Sequence, residues 1–288
     1  FSYILFFPQL IAGPIVDYSD VSDQIKRKIS FNQRIFRTGL LLFTIGFFKK
    51  TIFADYFAIQ ADEFYSSLYS TNLNSIDSWL GTLSYTLQLY FDFSGYCDMA
   101  IGLGLLFGIK LPINFDSPYK ASSIQVFWRT WHITLGRFLS QHVYQPLGGN
   151  RKGLLTELTV GLLTFTLGGI WHGAGFTFIL WGIMHGLYLI IFKLYKRFIE
   201  LPHFTGGVLI TFLAVHLAWI PFRATDLNDV LIIYMSMLEL NGGDLFNLDT
   251  QFFAILCGLI IIFFLPNSME ITGYKKETIP MFNIENNW

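Results

Sequence analysis

Long apolar stretches dominate this chain, and their lengths predict helices that span or half-span a bilayer. The clearest are residues 40–57, 79–107, 154–170, 177–192, 208–222 and 252–265, against the roughly 20 residues needed to cross the hydrocarbon core. Several are short or broken. Residues 1–15 are interrupted by Pro8, Gly13 and Pro14, and the stretch from Trp79 is interrupted by Asp92-Phe93-Ser94-Gly95. Irregular backbone at membrane depth persists only where protein or a water-filled cavity satisfies its polar groups.

Residues 158–192 contain no Asp, Glu, Lys or Arg. As one helix this run would reach about 52 Å at 1.5 Å per residue, far beyond a hydrocarbon core of about 30 Å. It must break, and the four glycines at 168, 169, 173 and 175 mark where. His172 is thereby expected at a helix end or turn, where freed backbone lets polar ligands approach. An ionisable side chain in such surroundings is a functional-site hypothesis. The competing reading is an ordinary interhelical turn at the membrane surface.

Residues 122–144 form the most structured polar segment. Ser122 followed by Gln125 has capping-box spacing, which predicts a helix start. On one continuous helix Ile124, Trp128, Trp131, Leu135 and His142 would share a stripe, and Gln125, Arg129, His132, Gly136 and Ser140 a second. His132 would then face with Arg129, away from the tryptophans. Such a helix either lies in the interface, with Arg129 and Arg137 near headgroups, or lines a polar cavity.

Composition agrees with a membrane environment. Of 288 residues, 53% are hydrophobic, 18% aromatic and only 14% charged, against roughly a quarter charged in soluble domains. A net charge of −1 without a basic stripe gives no nucleic-acid signature. Cys97 and Cys257 have no metal-like spacing, so neither a disulfide framework nor a zinc site follows. Phe1 opens the chain without a signal-peptide pattern, and the chain reads as an internal fragment. Basic residues cluster at Lys26-Arg27-Lys28 with Arg34 and Arg37, at Lys49-Lys50, at Arg151-Lys152, and at Lys193 with Lys196-Arg197. Read as cytoplasmic loops, the first two clusters conflict across one span, so no orientation follows. The tail 267–288 reads as a polar loop.

No two of the six histidines, His132, His142, His172, His185, His203 and His216, have the spacing of metal ligands on one helix face. No metal is expected. His185 reads as a satisfied packing residue, and His203 and His216 carry no context beyond a loop and a span. No nucleophile elbow or phosphate-cradling loop occurs, and Gly102-Leu103-Gly104 reads as close helix packing. What remains is a histidine acting as general base. A neutral imidazole is tolerated in a buried site and accepts a proton, which suits attack of a hydroxyl on a thioester.

Five motifs in order then resemble the membrane-bound O-acyltransferase family. They are Phe6-Phe7-Pro8-Gln9-Leu10-Ile11-Ala12-Gly13-Pro14-Ile15, Tyr90-Phe91-Asp92-Phe93-Ser94-Gly95-Tyr96 with Asp98-Met99-Ala100-Ile101-Gly102, and Phe127-Trp128-Arg129-Thr130-Trp131-His132-Ile133-Thr134-Leu135. Pro146-Leu147-Gly148-Gly149-Asn150-Arg151 and Trp171-His172-Gly173-Ala174 complete the set. Within the family the chain is most similar to the bacterial alginate O-acetylation branch, whose relatives include the D-alanyl transfer protein of teichoic acid modification.

The resemblance implies an all-α, polytopic ring of tilted and broken helices around a tunnel, with 1–288 a single membrane domain. Upstream membrane segments of the family, and its extreme C-terminus, are expected to be missing. It implies His172 and His132 as catalytic residues, His172 taking a proton and His132 orienting the donor carbonyl or stabilising the oxyanion. Arg129, Trp131 and Asp92 are candidates for substrate positioning. It further implies acetyl-coenzyme A as cytoplasmic donor with no bound cofactor, a bacterial inner-membrane location, and an extracytoplasmic SGNH-like acetyltransferase as partner. The acceptor would be a cell-envelope polysaccharide or exopolysaccharide, reached directly or through that partner. Two alternatives remain: a transporter with Asp92, Asp98 and His172 as a proton path, and a non-catalytic scaffold.

Overall fold

The apolar stretches fold as helices, and capping side chains set where several begin. The computed structural model describes residues 3–10, 13–27, 31–69, 73–198, 206–239 and 250–274. In order the helices are α1 (Tyr18–Lys26), α2 (Gln33–Phe48), α3 (Asp55–Ser67), α4 (Ser75–Leu106), α5 (Ile124–Thr130) and α6 (Ile133–Leu139). They continue as α7 (Leu154–His172), α8 (Phe176–Phe198), α9 (Gly207–Arg223), α10 (Leu227–Leu238), α11 (Thr250–Phe264) and α12 (Ser268–Thr272). Among the described residues there is no strand, only one bridge between Phe115 and Trp131. Asn32, Asn74, Ser123, Asp226 and Asn267 each accept a backbone N–H from the first turn of the helix they precede, satisfying donors that have no intrahelical partner.

α7 and α8 are each long and apolar enough to cross a bilayer. The chain between them turns at 173–175, where length arithmetic requires a break, and His172 is the last residue of α7. The two helices meet through glycines: a Cβ on Gly169 would collide with the Phe178 carbonyl oxygen, and one on Gly182 with that of Phe165. Large apolar side chains such as Leu155, Phe176, Ile191, Leu209 and Phe264 face outward, an exposure suited to hydrocarbon rather than water.

Four sequence expectations change. α4 runs unbroken through Asp92-Phe93-Ser94-Gly95, because Gly95 is used for packing: its absent Cβ admits the Gly46 carbonyl of α2, and Gly46 admits that of Gly95. The segment 122–144 is not one helix. Ser123, not Ser122, caps α5 through the Val126 N–H, and the chain breaks at Trp131-His132 before α6 begins. Lys49-Lys50 is no loop cluster: it opens a π-helical stretch, Lys49–Ala54, joining α2 to α3, a widened geometry common at functional or packing irregularities. The tail holds α12, capped reciprocally by Asn267 and Glu270; residues 275–288 lie outside the described ones, as do Lys28, Ile11, Ala12 and His203.

The core is aromatic. Phe127 stacks on Trp131 at 5.6 Å, Trp131 lies 4.9 Å from Trp219, and Trp219 stacks on Trp181 at 5.9 Å. Rings from α5, α8 and α9 thus wall one region, against which α4 brings Leu89 and Phe93.

Candidate functional site

His172 and His132 line one small cavity of about 40 Å³. They reach it from different elements: His172 from the end of α7, His132 from the break between α5 and α6. The other walls include Phe93 of α4, Trp131 just after α5, Trp181 of α8 and Phe222 of α9. A second cavity of about 30 Å³ shares His172, Trp128 and Trp181 and extends toward Gly136 and Gly168. A larger apolar cavity of about 460 Å³ lies between α2 and α11, with Lys49 and Tyr90 in its lining and neither His172 nor His132.

The break at His132 builds the site. His132 has φ 44°, and Ser117 is the only other described residue besides glycines with positive φ. Left-handed backbone costs about 1–2 kcal/mol per residue, so something must hold it. Asn114, in the extended stretch before α5, does so: its backbone carbonyl accepts Ile133 N–H at 3.1 Å, and its Oδ1 lies 3.2 Å from His132 Nδ1. That same Oδ1 accepts Thr134 N–H at 3.1 Å and the Thr134 hydroxyl at 3.0 Å. Phe93 meets the His132 ring edge to face at 4.7 Å. The turn rotates His132 out of the helical phase expected for it, so it joins the tryptophan-lined wall instead of the Arg129 stripe.

His172 is oriented by rings. Trp181 and Phe222 lie edge to face with it at 5.3 and 5.1 Å, while its neighbour Trp171 is 59% exposed and points outward. Adjacent residues at the end of α7 thus serve opposite surroundings.

The remaining sequence candidates divide. Trp131 lines the cavity beside His132. Arg129 is half-buried on α5 and is not part of the cavity wall. Asp92 is half exposed and forms an ion pair with Lys50 at 2.9 Å, on a different side of α4 from Phe93. Asp98 is buried against Lys49 at 2.7 Å. Neither acid of the alternative proton path therefore meets His172. Arg137 does not reach out to headgroups: it pairs with Asp20 at 2.5 Å, tying α6 to α1.

Among the other histidines, His185 is fully buried between Trp128 and Trp181, and neither ring nitrogen has a hydrogen-bond partner among the described residues. It packs, but it is not satisfied. His216 lies 2.8 Å from the Thr86 hydroxyl and stacks on Trp79; His142 is exposed beside Phe138. Gly102 serves close packing, since a Cβ there would meet the Gly39 carbonyl at 2.7 Å. Among the described residues no three His, Cys, Asp or Glu side chains converge as a metal site would require.

Sequence reasoning missed Asn114, Phe93, Trp181 and Phe222. Asn114 did leave a signal, as a lone amide in the apolar run Leu111-Pro112-Ile113-Asn114-Phe115, since a buried amide must find partners.

Comparison with known proteins shows the family. The profile of the MBOAT, membrane-bound O-acyltransferase family, matches residues 1–221. The chain is 50% identical over 255 residues to a peptidoglycan O-acetyltransferase of Helicobacter pylori, covering 86% of this chain and 48% of that protein. It is 42% identical over 250 residues to the probable alginate O-acetylase AlgI of Pseudomonas fluorescens, covering 86% and 50%. With a teichoic acid D-alanyltransferase of Bacillus subtilis it shares 29% identity over 205 residues, covering 68% and 51%. The chain spans about half the length of the curated relatives it matches.

Proposed function

The chain belongs to the membrane-bound O-acyltransferase family, and on that premise we propose that it carries the reaction centre for moving an acetyl or similar short acyl group to a hydroxyl of the cell envelope. The observation that carries this reading is the meeting of His172 and His132 at one aromatic-walled cavity. Two imidazoles in a water-poor site are suited to moving a proton at neutral pH.

In the proposed reaction His172 removes the hydroxyl proton as the oxygen attacks the acyl carbon of a thioester. The new C–O bond forms, the C–S bond breaks, and the imidazolium returns its proton to the leaving thiolate. Trp131 packs beside His132 and would shape the acyl site; Arg129 and Asp92, away from the cavity, would act only at its approaches. Acetyl-coenzyme A on the cytoplasmic side is the donor, and no cofactor stays bound. The acceptor is a polysaccharide hydroxyl, or the serine of an extracytoplasmic SGNH-like acetyltransferase that relays the group.

The setting is a bacterial inner membrane, crossed several times by helices ringing a tunnel to which the two small cavities at His172 belong. Outward apolar side chains support the membrane setting. The names of the relatives support peptidoglycan, alginate and teichoic acid as the range of acceptors for such chemistry.

Complementation with the intact protein tests the assignment. A general base contributes about 10²- to 10⁴-fold in rate, so His172→Ala is expected to lose O-acylation by at least that lower factor while still inserting. Full acylation by inserted His172→Ala protein overturns the reading. Normal partner recruitment with lost transfer separates catalysis from scaffolding.

A further inference from the structure

The amide of Asn114 has its orientation dictated by its neighbours. Its Oδ1 accepts the backbone N–H of Thr134, a donor that cannot reverse, and its Nδ2 points at Cys97 Sγ, 3.3 Å away. The Thr134 hydroxyl accepts Ile15 N–H at 3.0 Å and gives its own proton to the same Oδ1. An oxygen offering only lone pairs therefore lies 3.2 Å from His132 Nδ1. Nδ1 must carry the proton. A neutral imidazole has one N–H, so Nε2, on the far side of the ring, presents a lone pair to the cavity.

Resting on the catalytic reading above, we propose that Asn114 is a positioning residue that locks His132 in the Nδ1–H tautomer, making His132 a hydrogen-bond acceptor in the cavity. Stabilising an oxyanion from Nε2 would need an N–H there, which this tautomer lacks. Donors lining the same cavity are the ring N–H of His172 and the indole N–H groups of Trp128 and Trp181, which have no partner among the described residues. His172 keeps its lone pair for the substrate hydroxyl as the general base, and His132 offers an acceptor at the same cavity. The hydroxyl's proton passes to His172 and from it to the leaving thiolate, and His132 gives up none. Ile15 and Thr134 complete the brace, so the Pro-Gln-Leu motif segment acts on the site through backbone at a sequence separation of 119 residues.

Nitrogen NMR of ¹⁵N-histidine-labelled intact protein in bilayers reads the tautomer directly, with His132→Gln used to assign the signal. The expected result is a pyrrole-type Nδ1 and a pyridine-type Nε2 at His132; the reverse overturns the proposal. This measurement needs no substrate, so it can fail or succeed independently of the His172→Ala test.

A second arm uses Asn114→Asp, which keeps the acceptor oxygen for Thr134 and sets a carboxylate beside Nδ1. The other ionisable groups near His132 are His172 from α7 and, behind Asn114, Cys97 from α4; the walls from α8 and α9 present Trp181 and Phe222. The carboxylate holds the ring charged and turns Nε2 into a donor, so the acid limb of acyl transfer is expected to move up by about 1–3 pH units. A folded Asn114→Asp protein whose pH profile overlays the unmodified one overturns the proposal. Should Asn114→Asp fail to fold, the tautomer measured in the unmodified protein decides.

Discussion

Removing one partner of the Lys49–Asp98 pair is expected to cost far more than removing both. Lys49 Nζ lies 2.7 Å from Asp98 Oδ2, with side chains only 14% and 3% exposed. Ser268 Oγ of α12 is 3.1 Å away and the Tyr90 ring covers the ammonium at 5.8 Å. At 2.7 Å and an effective dielectric of about 20, the two charges attract by ~6 kcal/mol. Desolvating two ions costs several kcal/mol each, so the pair comes out near balance. Lys49→Met alone strands a buried carboxylate, and Asp98→Leu alone strands a buried ammonium; each is expected to cost about 3–5 kcal/mol. At 2–4 °C per kcal/mol, this is a fall of roughly 6–20 °C in unfolding temperature. The double variant should recover most of it. Thermal unfolding of the intact protein in detergent, run as a double-mutant cycle, measures the coupling directly. Single losses that simply add in the double variant would refute a buried, mutually dependent pair.

Three further outcomes follow from the geometry. Gly169→Val is expected to push α8 from α7 at the Phe178 carbonyl, costing about 1–3 kcal/mol by overpacking and reducing acyl transfer as His172 shifts; unchanged stability and activity would contradict the close approach. Asp92→Asn removes a half-exposed ion pair with Lys50 worth at most about 1 kcal/mol; transfer should persist, and its loss in a stable variant would restore Asp92 to substrate handling. His185→Phe replaces an unpartnered ring in an aromatic cluster, and since an unsatisfied buried polar group costs about 1–3 kcal/mol, the unfolding temperature should hold or rise with activity retained. A marked fall would mean that His185 has a partner in the intact protein.

The legible parts of this protein are those governed by one segment at a time. The break after His172 follows from the length of an uncharged run, and the start of α5 from a capping side chain within a residue. Helical phase, by contrast, misled at His132, because counting along residues 122–144 assumes a continuous helix. Asp92-Phe93-Ser94-Gly95 reads locally as a breaker, yet Gly95 sits within α4 because Gly46 of α2 needs its surface.

By itself, the chain determined an all-helical membrane protein, its family through five ordered motifs, and His172 at a forced helix end. Composition and length suffice for the first and the last, because hydrocarbon allows few ways to satisfy a backbone; the family rests on the motifs. Only the tertiary structure decided that His132 faces His172, that Asn114 presents the oxygen beside its ring, and that Lys49 and Asp98 neutralise each other in the interior. Each depends on a contact from a distant element, and a left-handed turn at His132 is stable only where Asn114, itself oriented through Thr134 and Ile15, is already in place.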